Sequence, residues 1–212
     1  MSTSKENLLN EDLSLKLDTL HQERKKGNNV IRLEYFGGLI DENEILDLEE
    51  KLKKAEIELS IFDKNGLNYN SFDEYLNVVF IGINPSLISS ILTGVASTIV
   101  WEIIKNSVKK IWLNVRGKQY IELKANSQEK KDITFGVEII IDRNTSFNFR
   151  LNGDLSDELI EKSLDKALDY LKDQQPNKEY KHPYYMTYNS TNGNWVKMDI
   201  EEELKKKTQE NK

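Results

Sequence analysis

Apolar residues recur every three to four positions in some stretches of this chain and every second position in others. The alternation sets out an order of helices and strands. Residues 1–8 are polar and read as disordered. Leu9, Leu13, Leu17 and Leu20 form one stripe through a helix expected over 10–26. Gly27 is its stop, and Arg24, Lys25 and Lys26 suit its carboxyl-terminal dipole. Asn29 to Phe36 (NVIRLEYF) alternates as a strand that Gly37 and Gly38 end. A helix follows from Asp41: Asp41 and Glu44 have capping-box spacing, and Ile45, Leu48, Leu52 and Ala55 share a face. Ile57 to Phe62 (IELSIF) alternates again. Strand, helix, strand is the mark of a βαβ unit with parallel strands.

Further on, Ile133–Asp142 and Thr145–Leu151 predict a hairpin around Arg143 and Asn144. Ser156 predicts the cap of a helix running to about Asp173. Tyr184–Tyr188 and Trp195–Asp199 predict a last hairpin around Asn192 and Gly193. Trp112–Leu123 reads as a strand pair or one broken strand, and Ala125–Asp132 as a charged loop. The expectation is an α+β fold in three parts. An N-terminal helix occupies 1–28, and a core over 29–175 holds the βαβ unit, a long central apolar helix and antiparallel strands with a packing helix. A hairpin and charged tail occupy 176–212.

The central segment poses the main question. From Tyr75 to Trp101 the chain carries no charge over 27 residues, in a protein that is otherwise 31% charged. About 20 apolar residues suffice to cross a bilayer. Asn84-Pro85 divides the run, as a helix cap followed by a first-turn proline. Leu76–Ile83 then reads as a strand or short helix, and 85–110 as one long helix. Ser86, Ser90, Gly94 and Ser97 give this helix a small-residue side that would let another helix approach, with Trp101 and Trp112 toward its far end. These six residues are the candidate interaction or membrane-contacting set. On this reading Gly94→Leu disrupts association and leaves the fold intact. Flanking Lys105, Lys109, Lys110, Arg116 and Lys118 fit a membrane-spanning reading. Against it, the unbroken apolar stretch Leu87–Trp101 is only 15 residues, and extending it brings in Glu102 and Lys105. Burial in the protein's own core is the preferred reading.

Composition narrows the chemistry. The chain has 212 residues, no cysteine and a net charge of −6. Disulfide scaffolds, thiolate nucleophiles and thiolate metal sites are excluded, and there is no basic excess to mark a nucleic-acid surface. Abundant Lys, Asn, Ile and Glu is a bias common in AT-rich bacterial genomes. The polar start MSTSKENLLNEDLS has no signal-peptide pattern, so a cytoplasmic location is expected, with the inner membrane as the alternative. The two histidines, His21 and His182, are remote from each other. Asp63, Asn65 and Glu74 fall at calcium-loop offsets, but Leu67 and Asn68 stand where an oxygen ligand and the turn glycine belong. No phosphate-cradling or nucleophile-elbow motif occurs, and no carboxylate pair stands out. Tyr180, Tyr184, Tyr185, Tyr188 and Trp195 could stack on bases or sugars, although packing within a hairpin is the commoner use. Neither catalysis nor a cofactor is expected.

The strand NVIRLEYF, the helix from Asp41, the strand IELSIF, the small-residue segment SLISSILTGVASTIVWEIIKNSVKKIW, the strands FGVEIIID and FNFRL, and the helix from Ser156 follow one another over residues 29–172. That order resembles the effector-associated constant component proteins and similar accessory modules of bacterial conflict systems. The resemblance implies a non-enzymatic adaptor or sensor in anti-phage defence, with a protein partner or self-association. The alternative is a membrane-associated effector that inserts segment 76–104.

Overall fold

The computed structural model describes residues 27–64, 78–94, 98–124, 127–142, 144–151, 155–173, 184–203 and 205. Within them the fold is α+β. Strands β1 (Val30–Tyr35), β2 (Glu58–Asp63), β3 (Val79–Ile83), β6 (Phe135–Asp142), β7 (Thr145–Leu151), β8 (Tyr184–Asn189) and β9 (Asn194–Lys197) form one mixed sheet in the order β2-β1-β3-β6-β7-β8-β9. Strands β4 (Gln119–Lys124) and β5 (Ser127–Asp132) pair separately and antiparallel. The helices are α1 (Glu42–Lys54), α2 (Pro85–Leu92), α3 (Thr98–Val115) and α4 (Asp157–Lys172).

Local signals set the helix starts. Asp41, Asn84 and Ser156 each accept a backbone N–H of the following turn, from Asn43, Leu87 and Leu159 respectively. Asn84 also donates to the carbonyls of Gly27 and Val30, fastening α2 to the entry of β1. The capping box at α1 is half realised, because the Glu44 carboxylate pairs with Lys110 of α3 at 2.8 Å.

The expected βαβ unit is present: β1 and β2 are parallel and α1 connects them. Alternation then assigns the faces. Ile31, Leu33, Leu59, Ile81, Val137, Ile139, Phe147 and Phe149 all lie on the helix side and are buried against the four helices. Trp195 closes the far end, its indole N–H donating to the Ser163 carbonyl of α4 at 2.8 Å.

Three expectations change. The helix foreseen over 85–110 is two helices, since Thr93 and Gly94 turn the chain and Gly94 sits at φ +73°. A glycine in the left-handed region ends a helix without steric cost, and the apolar pattern around it hid this stop. Helix α3 runs on to Val115, so Trp112 is helical, and the strand begins only at Gln119. The charged stretch 127–132 is strand β5, whose backbone is satisfied by pairing with β4. The N-terminal helix, the calcium-like loop beyond Lys64, His21, His182 and Tyr180 lie outside the described residues.

Candidate functional site

The described part of the uncharged run contributes heavily to the core. Strand β3 is central, antiparallel to β1 and parallel to β6, with Val79, Ile81 and Ile83 buried. Leu87, Ile88, Trp101 and Ile104 carry the same burial into α2 and α3. No helix among the described residues is long and apolar enough to cross a membrane.

The basic residues that would have flanked a span are held internally. Lys110 bridges Glu44 and Asp47 of α1. Lys105 binds Asp165 of α4 at 2.9 Å and Glu102 at 2.8 Å, and Lys109 binds Glu161. Arg116 donates to the Leu155 carbonyl at 3.0 Å and Lys118 to the Leu39 carbonyl at 2.8 Å. Helix α3 is thus clamped between α1 and α4 by ion pairs. The pairing shows in the proton affinities. Hydrogen bonds from Lys110 and then Lys51 lower the Asp47 carboxyl to about 2. Lys110 is raised by its bonds to Asp47 and Glu44. Burial opposes the charge on Lys105, yet its bonds to Asp165 and Glu102 leave it raised.

The six candidate residues do not share one surface. Ser86 is exposed and donates to the Asn28 side chain, and Ser90 is half-buried and donates to the Leu87 carbonyl. Gly94 is exposed, whereas Trp101 and Trp112 are only 5% and 1% exposed. Trp112 packs edge-on against Phe135 with ring centres 6.0 Å apart. Ser97 lies outside the described residues. The left-handed backbone at Gly94 also means that Gly94→Leu strains the fold by about 1 kcal/mol, so that substitution does not isolate association. Aromatic residues of the last hairpin pack internally. Tyr184 stacks on Phe147 at 5.1 Å, and Trp195 meets Phe149 edge-on at 4.9 Å.

The face of the sheet away from the helices carries a polar row beside apolar Val30, Phe62 and Phe80. Register places Ser60, Arg32, Gly82, Glu138, Asn148 and Tyr185 in one row across six strands. Arg32 reaches over Gly82 to Glu138 and binds it at 2.7 Å. A Cβ at Gly82 would lie 2.8 Å from the Arg32 guanidinium, so the glycine is the gap the ion pair needs. Beside this row, buried Lys64 pairs with Glu34 at 3.2 Å. Among the described residues no group of three or more His, Asp or Glu could hold a metal.

The two edges of the large sheet differ. Strand β9 is four residues long and carries Lys197, whose ammonium lies 4.8 Å from the Tyr184 ring centre. A short, lysine-bearing edge discourages further pairing. Strand β2 is six residues long, has neither Lys nor Pro, and among the described strands pairs only with β1. The Glu58 N–H donates to Asn29 and the Lys64 N–H to Tyr35, so residues 58, 60, 62 and 64 face β1. Alternation turns the N–H and C=O groups of Leu59, Ile61 and Asp63 outward. A groove of about 470 Å³ runs beside this edge, lined by Glu49 and Lys53 of α1 and by Glu56, Ile57, Glu58 and Leu59. Glu56 ends α1 at φ 57°, a position where glycine is usual, with its N–H on Lys53 and that of Ile57 on Leu52. Sequence reasoning missed this edge, because edge status depends on strand order and no local pattern encodes it.

Comparison of the chain with protein-family models, with curated proteins and with solved structures gives no match in any of the three.

Proposed function

We propose that this protein is a non-enzymatic interaction module, an adaptor or sensor, that docks a protein partner along β2. The observation that carries the reading is the edge itself: six residues of strand with outward backbone groups, a groove alongside, and exposed apolar Ile61 and Leu46 nearby. Exposed apolar side chains beside an edge strand are a standard means of binding another chain. The order of elements supports placing the module in a bacterial or prophage defence system, where a partner would link it to an effector.

The structure offers less to the membrane-effector reading. Inserting 76–104 would pull β3 from the middle of the sheet, breaking its pairing with both β1 and β6 and exposing the core beneath.

A photocrosslinking amino acid placed at Leu46 tests the proposal in phage-challenged bacterial cells. A discrete adduct with another protein, absent when the same group is placed at Lys166 on the outer side of α4, is the expected result. No adduct from Leu46, or recovery of the protein only with the inner-membrane fraction, would overturn it.

A further inference from the structure

We infer that β2 takes a second copy of this chain, the two β2 strands pairing antiparallel about a two-fold axis at Ile61. The inference rests on the interaction reading above and names the protein that docks.

Backbone direction limits the register. Residues 58, 60, 62 and 64 turn their backbone groups to β1, so the odd-numbered residues between them offer theirs outward. In an antiparallel pair, outward residues stand opposite outward residues. The register centred on Ile61 meets this condition. It sets Ile61 opposite Ile61, Leu59 opposite Asp63, Ser60 opposite Phe62 and Glu58 opposite Lys64. At the axis the two Ile61 residues exchange both of their N–H and C=O bonds.

Charge selects this register over its neighbours. Glu58 is exposed and lies on the same face of the sheet as Lys64, which Glu34 holds at 3.2 Å. Opposite charges on directly opposed residues stabilise a strand pair, and the two-fold repeats the pair at both ends. Moving the axis to Ser60 keeps the parity but sets Glu58 opposite Phe62, and moving it to Phe62 shortens the overlap. The pairing needs no free carboxylate at Asp63 or Glu49.

The axis itself is apolar. Ile61 stands beside Leu33 in the register with β1, which places it on the helix side of the sheet. Helix α1 runs antiparallel to β2, as the crossover between parallel strands requires. Glu49 of α1 and Leu59 of β2 line one groove. One turn back along α1 from Glu49 is Leu46, and two residues on from Leu59 is Ile61. These steps run the same way along the groove, so the two residues lie level with each other. They are 61% and 40% exposed. The two-fold sets Leu46 and Ile61 of one copy beside those of the other, on the helix side of a continuous sheet. A contact of this symmetry needs one patch that complements itself, and β2 with Leu46 supplies it. One strand pair is a small interface and each copy carries a net charge of −6, so the pairing is weak. The dilute chain is free at this edge, and the concentrated chain is paired.

Amide NMR on isotopically labelled full-length protein over a dilution series tests the pairing. On concentration the Leu59 and Ile61 amides should shift and gain protection from exchange. Ile61→Lys sets two ammonium groups face to face on the axis and should abolish the concentration dependence, as should Ile61→Glu with two carboxylates. An equal mixture of these two variants should restore pairing, which damage to the fold would not. Glu58→Lys opposes Lys64 and should weaken pairing at least tenfold. Amides of β2 that ignore concentration, pairing of Ile61→Lys with itself, failure of the mixture to pair, or full pairing by Glu58→Lys would each overturn the inference. In cells, the Leu46 adduct should have twice the mass of the chain. If it holds a different protein instead, the interaction reading stands and the second copy falls. If no adduct forms, both fall.

Discussion

Adjacent proline substitutions in β2 should have unequal costs, because neighbouring amides point in opposite directions. The Ser60 N–H faces β1, and Ser60→Pro removes its ladder bond to the Ile31 carbonyl. Ile31 is 3% exposed, so that carbonyl is left unpaired away from water, at about 1–3 kcal/mol. The ring also crowds β1, which brings the expected total to about 3 kcal/mol. The Ile61 N–H faces outward, and Ile61→Pro removes no bond to β1. It loses part of a side chain that is already 40% exposed, about 1 kcal/mol, offset by the stiffer unfolded chain at about 0.4–1 kcal/mol. The two variants should therefore differ by about 2.5 kcal/mol, a separation of about 5–10 °C in Tm for a chain of this size. Urea unfolding followed by circular dichroism measures both. An Ile61→Pro variant as unstable as Ser60→Pro would mean that the Ile61 amide is already bonded, and the argument for an available edge would fail.

Gly82→Ala should displace Arg32 and break its bond to Glu138, while in an Arg32→Met background the same alanine should fit. A coupling of about 1 kcal/mol in this double-mutant cycle is expected, and additivity would contradict the geometry. Asp47 titrates at about 2, below its ordinary 3.8, so its pairing with Lys110 favours the fold above pH 3.8 and loses that effect as pH falls toward 2. Carboxyl NMR should show the Asp47 midpoint moving up in Lys110→Met, and an unchanged midpoint would refute the bridge. Glu56→Gly should raise stability by up to about 1 kcal/mol by relieving the left-handed backbone, as urea unfolding would measure. A loss of stability would refute the strain.

What could be read from the chain was what neighbouring residues decide. Asp41, Asn84 and Ser156 announced their helices because a cap acts within one turn. The parallel pairing of β1 and β2 followed from the length and face of the helix between them. Strand β5 was hidden because SQEKKD has no apolar alternation, and its pairing with β4 carries it instead. The helix stop at Gly94 was hidden inside a run whose apolar pattern continues on both sides. The site was the least legible part. Leu59, Ile61 and Asp63 turn away from β1 only through the register of that pairing, and β2 is outermost among the described strands only because β3 takes the other side of β1. Likewise the lysines of α3 resemble a membrane flank until the carboxylates of α1 and α4 are brought beside them.

Residue-resolved amide hydrogen exchange on the full-length protein tests the docking edge most directly. In the free protein the Leu59 and Ile61 amides should exchange quickly while those of Ser60 and Phe62 are protected. Equal protection of all four amides would contradict the account.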